Sequence, residues 1–133
     1  MTQKEKDLLL KDLCARLPYR VIVHIKLNHN IHDLEYNSIL HGFMLSENLG
    51  ISQLDGYTKF INLNEDEVKP YLRPMSSMTE NEKKTYMEIS SHLCGEIAAK
   101  TMMDWLNARY FDYRDLIGKG LALEATEGMY KTE

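Results

Sequence analysis

The chain reads as an α+β domain, on three observations. Between residues 19 and 27 the apolar side chains alternate, the two-residue rhythm of a half-buried strand. From residue 80 onward they recur at spacings of three and four, the rhythm of a helix. Between the two lies Lys69-Pro70-Tyr71-Leu72-Arg73-Pro74, followed by Thr79 with Glu82 three residues later, a capping-box signature that starts a helix. The expected architecture is a small antiparallel sheet of three strands, or four, packed by an N-terminal helix and C-terminal helices in a single globular domain over residues 1–133.

Each element follows in order. Leu9, Leu10, Leu13, Cys14 and Leu17 share one face of a first helix over residues 3–17, and Pro18 ends it because the residue before a proline is driven out of the helical region. Tyr19, Val21, Val23, Ile25 and Leu27 form the apolar face of a strand over 19–27. Asn28-His29-Asn30 marks a turn. Residues 37–45 give a second strand, apolar on both sides, broken by Glu47-Asn48-Leu49-Gly50. After the turn signal Asp55-Gly56, Tyr57–Leu63 gives a third. The connections are too short for parallel crossovers, so a meander is expected. Beyond the prolines, Tyr86, Ile89, Leu93, Ile97, Met102, Trp105 and Leu106 can share a face, on two helices near 80–91 and 96–109 or on one bent helix. Asp112–Ile117 reads as a short helical turn closed by Gly118, Gly120–Ala125 as a short extended piece, and 126–133 as a frayed end. This layering buries Val21, Val23, Ile25 and Phe43 against Leu9, Leu13, Ile97 and Trp105.

Composition excludes several classes. The 133 residues are 44% hydrophobic and 27% charged, the balance of an ordinary globular protein. No run is long and apolar enough for a membrane span, and no secretory leader is visible, so a cytoplasmic protein is expected. The net charge of −4 is uneven: residues 1–27 carry +3, residues 28–68 carry −6, residues 69–84 carry +2 and residues 85–133 carry −3. No segment forms the dense basic stripe of a nucleic-acid binder. Cys14 and Cys94 fall within expected helices and read as buried free thiols.

Candidate chemistry is sparse. His29, His32 and Asp33, with Glu35 nearby, have the residue types of a divalent metal site, but neither cysteine is near and a solvated loop is the simpler reading. His24 and His41 could pair across the sheet, with Ser76 and Ser77 as hydroxyls, although serines just before a helix usually serve its backbone. Asn64-Glu65-Asp66-Glu67 lacks the glycine and distal Glu of a calcium loop. Ile117-Gly118-Lys119-Gly120 lacks the spacing of a phosphate loop. No catalytic residue, metal or cofactor is therefore expected. Tyr71, Arg73, Trp105, Tyr110, Phe111, Tyr113 and Arg114 are the residue types that dominate interaction hot spots. Of these, Tyr71, Arg73, Tyr113 and Arg114 form the expected interaction surface.

Lys69–Thr79 (KPYLRPMSSMT), Asp104-Trp105-Leu106-Asn107, Phe111-Asp112-Tyr113-Arg114, Gly120–Ala125 (GLALEA) and the opening Leu9–Tyr19 resemble a group of small proteins of gut Bacteroidetes, their phages and mobile elements. The resemblance implies a phage or mobile-element setting and brings no activity, ligand or site. The expected function is that of a non-enzymatic accessory protein acting on a protein partner. The alternatives are a nucleic-acid-associated regulator using the basic N-terminal segment and a small enzyme near His24, His41 and Ser76-Ser77. A strand such as 37–45 at a sheet edge could also pair with a second copy as a homo-oligomer.

Overall fold

A computed structural model describes residues 1–28, 34–44, 48–52, 58–92 and 95–130. It is an α+β fold. Helix α1 (Gln3–Arg16) opens with a capping box between Thr2 and Glu5. A 3₁₀ turn over Leu17–Tyr19 contains Pro18, and Arg20, at φ +58°, turns the chain into the sheet. The strands are β1 (Ile22–Leu27), β2 (Leu34–Met44), β3 (Asn48–Ser52), β4 (Thr58–Asn62), β5 (Glu67–Leu72) and the short β6 (Leu123–Glu124). Helices α2 (Glu80–His92) and α3 (Gly95–Ala108) complete the fold.

The sheet is larger than expected. Its order is β4-β3-β2-β1-β5-β6, with β1 to β4 an antiparallel meander, β5 antiparallel on the other side of β1, and β6 parallel to β5. Asn48-Leu49-Gly50, expected as a break, opens β3, and β2 lies inside the sheet rather than at an edge. The proline segment also departs from expectation, because Lys69-Pro70-Tyr71-Leu72 is strand. Leu72 accepts from the Ala125 N–H, away from β1. Strand alternation turns Pro70 the same way, so its missing N–H costs the β1 ladder nothing. The rhythm therefore changes at Arg73–Thr79.

β1 alternates as expected: Val23, Ile25 and Leu27 are buried, following Val21, and Ile22, His24 and Lys26 are half-buried. The core joins these to Leu9 and Leu13 of α1, to Leu40, Ile61, Val68 and Leu72 of the sheet, and to Leu116, Leu121 and Ala122 of the C-terminal segment. Neither α2 nor α3 contributes to that cluster. Ile97, expected in the core, is 72% exposed, because its stripe continues as Thr101, Asp104 and Ala108, which have little to bury. Trp105 is half-buried and packs on Phe111 and Tyr86. The Phe43 side chain, the Asp55-Gly56 turn, Leu93 and Cys94 lie outside the described residues, and Cys14 is a free, exposed thiol.

The C-terminal segment is anchored more firmly than expected. Residues 112–117 form turns rather than helix, with the Asp112 carboxylate accepting from the N–H groups of Leu116 and Ile117 at 2.8 and 2.9 Å. Residues 126–130 are pinned by Tyr130. Its hydroxyl accepts from the Ile22 N–H at 2.9 Å and donates to the Tyr71 carbonyl at 2.8 Å, and its ring stacks on Tyr110 with centroids 3.6 Å apart.

Two substitutions probe this core. Val23→Asp places an unpaired charge where the side chain has no exposed surface and should cost more than about 3 kcal/mol in chemical denaturation. Tyr130→Phe keeps the stacking ring and removes the partner of the Ile22 N–H; a loss of about 1–2 kcal/mol is expected, and an unchanged denaturation midpoint would count against the pinned terminus.

Candidate functional site

The residues expected to form one interaction surface occupy three places. Arg73 follows β5 and pairs with Phe111 in a parallel bridge, donating its N–H to the Tyr110 carbonyl and accepting from the Asp112 N–H. Its guanidinium lies 4.3 Å from the Phe111 ring centroid and grips Glu82 with two hydrogen bonds, at 2.8 and 2.6 Å. Glu82 is itself the third residue of α2. Its carboxylate accepts from the Thr79 N–H at 3.0 Å, while Thr79 Oγ1 accepts from the Glu82 N–H at 3.1 Å. The capping box read from sequence thus also clamps the sheet to the helices. The Arg73 hydrogen bonds, followed by that of Thr79, hold the Glu82 carboxyl below the usual carboxylate range against the opposing effect of burial.

Tyr113 and Arg114 pack against α1. Asp12 and Arg16, four residues apart, are wholly buried, and Asp12 accepts from Arg16 Nε at 2.8 Å and from Arg114 at 2.7 Å. Both guanidiniums lie over the Tyr113 ring, with Arg16 5.2 Å and Arg114 4.5 Å from its centroid, and the Tyr113 hydroxyl donates to Asn107 at 2.7 Å. Arg16 also donates to the Phe111 carbonyl at 2.7 Å, tying α1 to the segment that meets Arg73. The apolar periodicity of α1 singles out neither Asp12 nor Arg16; the spacing of four between opposite charges was the available signal.

Tyr71 differs from the other three. It lies on the sheet face opposite the core, half-buried, with His24 of β1 and Asn37 of β2. Its hydroxyl donates to Asn37 Oδ1 at 3.0 Å, and His24 Nδ1 approaches the same oxygen at 2.9 Å. His24 Nε2 is 3.5 Å from Glu35, and the rings of His24 and Tyr71 meet edge to face at 6.2 Å. Beside them Lys69 bonds Glu67 at 2.9 Å, and that hydrogen bond lowers the Glu67 carboxyl. The shift opposes the partial burial of Glu67 and is reinforced by the charges of Lys69, Lys26 and His24. The result is a polar face with one aromatic side chain held in place by hydrogen bonds, flanked by two lysines and two glutamates.

His24, His41, Ser76 and Ser77 are not brought together. β1 places His24 opposite Asn37, so His41 lies four residues farther along β2, about 13 Å away. Ser76 and Ser77 sit in a 3₁₀ turn, where the Ser77 hydroxyl donates to the Pro74 carbonyl at 2.7 Å. Among the described residues no group of three or more His, Cys, Asp or Glu side chains is placed to hold a metal ion. His29, His32 and Asp33 lie outside the described residues. Asp66, in the acidic run Asn64-Glu65-Asp66-Glu67, is buried and accepts from the Asn28 N–H at 3.0 Å. No helix among the described residues is long and apolar enough to cross a membrane.

No family model, curated protein or solved structure matches this chain.

The Arg73–Glu82 clamp makes stability depend on pH. The Glu82 carboxyl is lower in the folded chain than its ordinary value near 4.5, so its contribution is fully present above that value and is lost as pH falls through the folded value. Denaturation midpoints measured from pH 7 downward should fall in the acid range, and Glu82→Gln should flatten part of that fall while lowering stability at pH 7 by about 2 kcal/mol.

Proposed function

We propose that this is a non-enzymatic accessory protein that acts by binding another protein, in the phage or mobile-element setting its sequence resemblance implies. The observation that carries the reading is the Tyr71 cluster. A tyrosine with its hydroxyl already bonded to Asn37, beside an imidazole held between Asn37 and Glu35, loses little side-chain freedom when a partner covers it. Tyrosine supplies a large contact area with a polar tip, which suits the centre of an interface. The surrounding charges, Lys26, Lys69, Glu35 and Glu67, are of both signs, which favours a partner surface of mixed charge over a polyanion. The nucleic-acid reading has less support, since within the basic N-terminal segment Arg16 is committed to Asp12 and Lys6 donates to Asn64.

A photo-crosslinking residue in place of Tyr71, introduced in the native host, should yield a defined adduct with a second protein, identified by mass spectrometry. Tyr71→Ala should weaken binding of that protein at least about tenfold while the purified chain stays folded. Adducts no more abundant than those from an exposed control position such as Glu127 would refute the reading.

A further inference from the structure

We propose that the C-terminal tail, residues 126–130, is a latch that sets the position of Tyr71 by holding one rung of the sheet open. β1 and β5 pair antiparallel from Lys26 opposite Glu67 to Val23 opposite Pro70. The Val21 carbonyl accepts from the Leu40 N–H and so turns toward β2, and alternation turns the backbone of Ile22 toward β5. By the same register Tyr71 lies opposite Ile22 and turns its carbonyl back toward β1. The next rung of the ladder is a direct bond from the Ile22 N–H to the Tyr71 carbonyl, and the pairing stops one residue short of it. The Tyr130 hydroxyl stands in that gap, accepting from the Ile22 N–H at 2.9 Å and donating to the Tyr71 carbonyl at 2.8 Å. A bridging hydroxyl holds two such groups roughly 2 Å farther apart than a direct bond does. Burial pushes the Tyr130 phenol well above its ordinary value, so it keeps the proton that it donates.

The same two backbone groups therefore have two satisfied arrangements. With the tail seated they bond to the hydroxyl; with the tail withdrawn they bond to each other, and neither is left without a partner. The seated arrangement is held by the Tyr130 ring, which stacks on Tyr110 and packs against the core. The link back to β6 runs through exposed residues 126–128 and turns at Gly128, with φ +80°. Ile22 is fixed on its other side by pairing with Ile39, so closing the rung swings Tyr71 toward β1. That movement shifts the Tyr71 hydroxyl from its 3.0 Å bond to Asn37 and the ring from its edge-to-face contact with His24. The tail thus decides whether Tyr71 is held ready for a partner, a consequence that rests on the reading of Tyr71 as the contact residue. By reciprocity, a partner that fits the seated Tyr71 also holds the tail in place.

Nuclear magnetic resonance of the isotope-labelled full chain tests the latch. In the unaltered chain no scalar coupling through a hydrogen bond should join the Ile22 amide nitrogen to the Tyr71 carbonyl carbon. Tyr130→Ala, which withdraws both ring and hydroxyl, should show that coupling and should weaken the Tyr71–His24 ring-to-ring Overhauser effect at least about twofold. Tyr130→Phe leaves the ring in the gap; it should show no coupling and should speed exchange of the Ile22 amide at least about tenfold. Tyr130→Val, too short to reach the gap, gives the same readouts as Tyr130→Ala if that variant does not fold. A folded Ala or Val variant without the coupling, or a closed rung that leaves the Tyr71–His24 contact unchanged, overturns the proposal. These readouts come from the purified chain alone, so their failure leaves the crosslinking test of Tyr71 standing, and a failed crosslink leaves the rung measurement unaffected.

Discussion

The bidentate contact between Arg73 and Glu82 holds the two halves of this protein together. Arg73 follows the last residue of β5, and Glu82 sits in the first turn of α2, so one ion pair joins the sheet to the helical hairpin. Phe111 lies against the guanidinium and Trp105 against Phe111, which keeps the pair away from water and strengthens it. Because α2 and α3 give nothing to the main core, this junction and the small cluster around Leu106 and Phe111 fix the position of the hairpin. A planar guanidinium matched to a carboxylate fixes orientation as well as distance, which a lysine could not do.

A second polar junction does the same work for α1. Asp12 neutralises one of the two guanidiniums that converge on it, and the Tyr113 ring next to both supplies a further favourable surface for the cations. Burying charges this way gives little net stability compared with an apolar core, but removing one partner leaves the others stranded. Both junctions draw on the segment from Arg109 to Arg114, which meets α1, α3 and the end of β5 within a few residues. The short C-terminal strand and the Tyr130 hydroxyl then close the β1–β5 side of the sheet.

Local rules were legible in the sequence where one side chain acts on its own neighbourhood. The alternation of β1, the Thr79–Glu82 cap and the pair of helices beyond it all follow from spacing, and the observed bounds differ from the expected ones by few residues. What could not be read was long-range pairing. Asn48-Leu49-Gly50 carries turn residues, and Pro70 carries a strand breaker, yet both lie in strands because neighbours complete the ladder and the proline points to the side where its lost donor is not needed. The same limit applies to the interaction residues. Arg and Tyr are enriched at interfaces and in buried ion pairs alike, so sequence could not separate Tyr71 on the open sheet face from Arg73 and Arg114, whose charges are spent inside the protein. Ile97 was grouped with Met102 and Trp105, but its own stripe runs through Thr101, Asp104 and Ala108, so little along it calls for burial.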